Sequence, residues 1–182
     1  MTLLILGIGL WYVSHLMKRL APGLRAGLGD GPGKPIIAVL SVLALYLMIA
    51  GFRAADTVVL WSPPAFLTHL NNLLMLMAVF LVNLGFSRGV LRTKIRHPML
   101  NAVKTWAIAH LLVNGDLASV VLFGSMFVWA LADMILINRQ EPAWNRPAPG
   151  PARNDLIYGV VALGVYGVVG WVHTWLGYWP FG

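Results

Sequence analysis

The sequence predicts an all-α, polytopic membrane helix bundle of about six transmembrane helices, with both termini on the outer side. Three observations carry this. Hydrophobic residues make up 59% of the 182-residue chain and charged residues only 10%, a balance suited to lipid rather than to a soluble domain with a polar face. The apolar residues fall into six runs, each close to the ~20 residues that a bilayer crossing needs. Eleven of the thirteen lysines and arginines fall in alternate loops between those runs, as cytoplasmic loops require.

The runs are 1–17, 35–52, 66–86, 98–114, 117–137 and 156–176, and together they leave no room for a separate soluble domain. The first begins at Met1 without a preceding basic stretch, and Lys18 and Arg19 follow it, which argues against a cleaved signal peptide. Pro22-Gly23 and the stretch from Gly29 to Gly33 punctuate the first loop as turns. The latter lacks the Lys-Ser/Thr of a phosphate-binding loop. Pro63-Pro64 closes the second loop, and the proline-rich stretch from Pro142 to Pro151 reads as a semi-rigid linker.

The fourth run carries Asn101, Lys104 and His110, so hydropathy alone allows it to be re-entrant. Charge placement decides for a crossing. With six spans, Lys18, Arg19, Arg25, Lys34, Arg88, Arg92, Lys94, Arg96, Arg139, Arg146 and Arg153 share the cytoplasmic side. Arg53 and Lys104 are the exceptions. The net charge of +7 therefore reports topology. The cations form no continuous basic face with interleaved aromatics, and no nucleic-acid partner is expected.

The chain has no cysteine, which removes disulfides, thiolate metal sites, iron–sulfur clusters and covalently attached haem. Ionisable residues inside a bilayer are costly and therefore informative. Lys104 and Asp133 lie at matching depth on adjacent spans, as a neutralising pair would, with a proton relay as the alternative. His15 and His97 fall near the cytoplasmic edge, whereas His69, His110 and His173 fall toward the outer half on three different helices. A lone membrane histidine ordinarily hydrogen-bonds between helices; three at similar depth also suit a shared ligand. Gly164, Gly167 and Gly170 precede His173 at intervals that would open a cleft beside it, or simply allow close packing. Trp171, Trp175, Tyr178 and Trp179 suit an interfacial belt. The serines offer no nucleophile elbow.

Several stretches resemble the NnrU family of bacterial membrane proteins. They are Arg96-His97-Pro98-Met99, Ala109-His110-Leu111 with Asn114-Gly115-Asp116-Leu117-Ala118 and Leu122-Phe123-Gly124, then Ala152-Arg153-Asn154-Asp155, and His173 with Trp175-Leu176. The resemblance implies a multi-pass protein of the bacterial inner membrane associated with denitrification and nitric oxide reduction, with denitrification proteins as partners. The related 15-cis-zeta-carotene isomerase is a haem b enzyme whose two histidine ligands match His15 and His110 here. Likeness to it implies haem b, a redox-controlled isomerase-like activity and a hydrophobic small-molecule substrate. A broader similarity to isoprenylcysteine and thiol methyltransferases makes Arg96-His97-Pro98 part of an S-adenosylmethionine site, although Met99 and Leu100 replace the tyrosine expected there. A non-enzymatic membrane assembly or transport factor is the third reading, and whether the chain is an enzyme stays open.

Sequence context ranks His15 and His110 first as ligands of the haem iron, with His173 and His69 next. Depth opposes the first pairing. At ~1.5 Å per residue, His110 stands ~18 Å above the cytoplasmic edge and His15 only a few ångströms from it; His69 and His173 lie closer to the level of His110.

Overall fold

The computed structural model describes residues 1–181, apart from the Asp30 side chain. Among these, the chain forms seven α-helices: α1 (Thr2–Leu20), α2 (Pro22–Gly27), α3 (Asp30–Arg53), α4 (Leu67–Phe86), α5 (Pro98–Val113), α6 (Leu117–Gln140) and α7 (Ala152–Trp175). A short 3-10 turn spans Leu91–Thr93. No strand occurs among the described residues beyond an isolated bridge between Val59 and Asp116. The all-helical class expected from the apolar runs is therefore observed.

Five helices, α1, α3, α4, α6 and α7, are long and apolar enough to cross a membrane. The helix of the fourth expected run, α5, has 16 residues, or about 24 Å of helix, and does not meet that standard by length. The first loop is more helical than its prolines and glycines suggested. Pro22 occupies the first turn of α2, where its missing N–H costs nothing, and α3 already begins at Asp30 and carries Pro35 inside it. The turn between them rests on Gly29, whose φ of 72° suits glycine.

The helices pack in the order α3, α1, α6, α5, α4, α7, each against the next. The polarity is the reverse of a soluble protein's. Val42, Leu156 and Trp175 are 67%, 72% and 75% exposed, whereas Ser119 and several alanines are fully buried. Lipid is the solvent that makes this arrangement favourable, and small buried residues let the helices approach closely. The tightest crossing is α1 on α3. A Cβ on Gly7 would stand 2.6 Å from the Met48 amide nitrogen, and one on Gly51 would enter the Leu4 backbone.

The two ends of the bundle are stitched differently. At one end, the loop between α3 and α4 docks on the turn between α5 and α6. Leu60 and Trp61 donate to the Gly115 carbonyl at 2.8 and 3.1 Å, and Leu117 donates to the Val58 carbonyl at 2.9 Å. A Cβ at Gly115 would collide with the Trp61 carbonyl. The neighbouring Asp116 caps α6, accepting from the Ser119 amide at 2.9 Å and the Ser119 hydroxyl at 2.6 Å.

The cation-rich end is held by polar side chains. Arg19 pairs with Glu141 at 2.7 Å, the one ion pair among the described residues. That guanidinium, chiefly through its hydrogen bond, holds the Glu141 carboxyl below the ordinary glutamate range. Gln140 donates to the Arg19 carbonyl at 2.9 Å. Asp155, at the start of α7, accepts from the Val90 amide at 2.8 Å and from Leu91 at 3.2 Å. It thereby anchors the α4–α5 loop.

Candidate functional site

A cleft of about 760 Å³ opens at the cation-poor end, within the range of small-molecule and cofactor sites. Five helices contribute to it. Phe52 and Arg53 end α3, Asn71 and Asn72 lie near the start of α4, His110 and Asn114 end α5, Phe123 lies early on α6, and Tyr166 and His173 lie late on α7. The last residues fold back to close one side. Gly177, at φ 90°, makes the turn. Asn72 then donates to the Phe181 carbonyl at 3.3 Å, and the Phe181 ring lies against Gly170.

Two imidazoles face this space, His110 and His173. Each is oriented by its own helix. His110 Nδ1 lies 3.0 Å from the Trp106 carbonyl, and His173 Nδ1 lies 2.8 Å from the Val169 carbonyl. A carbonyl only accepts, so Nδ1 carries the proton and Nε2 keeps its lone pair, the arrangement of a ligating histidine. Phe123 stacks on His110 with ring centroids 4.5 Å apart, and Trp106 tilts against it at 5.2 Å. The His110 ring is thus held by packing as well as by hydrogen bonding.

The other expected site residues lie elsewhere. His15 sits between Trp11, stacked at 3.9 Å, and Trp129, edge-on at 5.3 Å, and it does not line the cleft. The α6 residues they touch, Trp129 for His15 and Phe123 for His110, are about 9 Å apart along that helix. His69 is exposed in the first turn of α4 and does not line the cleft either. Of the four candidate ligands, the fold brings together His110 and His173.

The Lys104–Asp133 pair expected from matching depth does not form. Lys104 Nζ instead approaches Met134 Sδ at 3.7 Å, while the electrostatic neighbours of Asp133 are Arg19, His15 and His97. Depth fixes position along a helix but not around it, and residues 133 and 134 differ by ~100° in direction. Arg96 and His97 brace the cation-rich end. Arg96 binds the carbonyls of Glu141 and Pro142, and His97 Nε2 meets Asn138 Oδ1 at 2.8 Å.

Of the three α7 glycines expected to open a cleft, only Gly170 borders it; Gly164 and Gly167 face open space. Trp171 and Trp175 are exposed, as a belt requires. Tyr178 and Trp179 are exposed as well and also line the cleft. Sequence reasoning also missed Asn71 and Asn72, although an adjacent amide pair inside an apolar run is a polar signal that could have marked them.

Among the described residues, no group of three or more His, Asp or Glu converges to hold a bare metal ion. Two imidazoles in an aromatic-lined cleft suit a group that brings most of its own ligands. No curated protein and no solved structure is detectably similar to the chain. The profile of the NnrU family, described as NnrU protein, matches residues 3–180, and the chain therefore belongs to the NnrU family.

Proposed function

We propose that this protein binds haem b in the cleft at the cation-poor end, with His110 as one iron ligand and His173 as the other. The observation that carries the reading is the convergence of two imidazoles, each with Nδ1 bound to a backbone carbonyl, on one cleft of about 760 Å³. A porphyrin supplies four nitrogens to the iron and asks the protein for one or two axial ligands and an apolar slot. Phe52, Phe123 and Tyr166 give the cleft its aromatic surface. His15, first by sequence context, is enclosed by Trp11 and Trp129, and His173 replaces it in this reading. Bound iron would supply redox chemistry, and the protein's part is to fix both imidazoles.

In a bacterial inner membrane the cation-rich end faces the cytoplasm, so both termini and the cleft face outward. In this topology α5 also crosses, as the fourth of six spans in chain order. Its first turn is level with the Arg96 contact to Glu141, and its last is level with Gly115 under Trp61. Family membership supports a role in denitrification and nitric oxide metabolism, or one beside the zeta-carotene isomerase, with a hydrophobic small molecule and denitrification proteins as the partners we propose. The S-adenosylmethionine alternative gains no support, because Arg96 and His97 are spent on the end of α6 and the cleft lies at the opposite end.

Expression with haem supply and detergent purification test the proposal. A Soret band that is lost in His110→Ala is the expected result. A colourless protein after haem supply would refute it.

A further inference from the structure

We propose that Arg53 is the anion-binding residue of the cleft and holds a propionate carboxylate of the haem; this rests on the haem reading above. Arg53 is the one lysine or arginine placed at the cation-poor end, against eleven gathered at the other and Lys104 within α5. It lines the same cleft as His110 and His173. Its guanidinium has no carboxylate partner: Asp56 follows it closely in sequence, yet the one ion pair among the described residues joins Arg19 and Glu141. As the last residue of α3, Arg53 also lies favourably toward the helix C-terminus, but that role needs no cleft.

The rest of the cleft wall gives this cation its meaning. Arg53 shares the cleft wall with the neutral Thr68, Asn71, Asn72 and Asn114, while the imidazoles, aromatic rings and aliphatic side chains such as Ile49, Met75 and Val169 line the remainder. Asn71 is nine-tenths buried and spends its amide on Asn72 Oδ1 at 3.1 Å. Asn114 spends its own amide on the His110 carbonyl at 2.8 Å. The cleft is therefore apolar and aromatic with a single unpaired cation, complementary to an apolar body that carries a carboxylate. The guanidinium fork matches a carboxylate in bidentate fashion. Haem b has this form, with coordinating iron in an apolar ring and carboxylates on one edge.

The test compares haem with its dimethyl ester, in which both carboxylates are masked, by Soret titration of the detergent-purified protein. Wild type is expected to bind haem about ten- to a hundredfold more tightly than the ester, the range of one charge-assisted hydrogen-bonded pair. Arg53→Met should remove that preference while leaving the Soret position unchanged, and Arg53→Lys should restore part of it. Arg53→Met with the full preference intact would overturn the assignment, as would a wild type that binds both porphyrins equally. A wild type that binds neither porphyrin would overturn the haem reading itself, and the propionate role with it.

Discussion

His110 on α5 and His173 on α7 line one cleft although they stand on different helices, and α4 packs against both of those helices. Each has committed Nδ1 to the carbonyl one turn earlier in its own helix, Trp106 for His110 and Val169 for His173. Each ring is thus oriented by a hydrogen bond within its own helix.

The α1–α3 crossing should tolerate no side chain at Gly51. Gly51→Ala would push a methyl into the Leu4 backbone, and overpacking of this kind costs about 1–3 kcal/mol. Thermal denaturation in detergent should show a lowered Tm for Gly51→Ala. Gly164→Ala, which meets nothing within 4 Å, should leave the Tm unchanged or slightly raised.

Asp155 should control the order of the α4–α5 loop. Its carboxylate accepts from the Val90 and Leu91 amides, the work of a helix cap, and removal of such a cap costs about 1 kcal/mol. Asp155→Ala is expected to speed proteolysis within residues 87–97 before any global unfolding. Unchanged cleavage there would show that the loop is held by other contacts.

The α1–α6 link at the cation-rich end should weaken in acid. Arg19 holds the Glu141 carboxyl below its ordinary value, so the ionised form is favoured by folding. Its stabilisation is present above the ordinary glutamate pKa and is lost as pH falls through the lowered one. Wild type should melt above Glu141→Gln at pH 7, and the gap should close in acid. Because the glutamate is exposed, salt should shrink the gap as well.

The membrane helices were legible because lipid imposes length and apolarity on every crossing, and each of the six expected runs is a helix. That His110 and His173 lie toward the same end of the bundle was legible for the same reason, since position along a helix follows from a residue count. Direction around the helix was not. Lys104 and Asp133 match in depth yet face different neighbours, and His15 turns toward Trp129, because rotation is set by packing between helices distant in sequence. The dipeptide Gly115-Asp116 was visible as part of a motif, but its use as the landing site for the 54–66 loop depends on backbone hydrogen bonds that no residue pattern announces. Arg53 was visible as an exception to the charge distribution, and only the cleft gives that exception a purpose.

The absorption spectrum of purified protein, taken for wild type and for His110→Ala, His173→Ala and His15→Ala, tests the central claim most directly. The expected result is a Soret band in wild type, its loss in His110→Ala, its loss or a marked shift in His173→Ala, and its retention in His15→Ala. A band that survives both His110→Ala and His173→Ala, or one abolished by His15→Ala with His173→Ala unchanged, would contradict it.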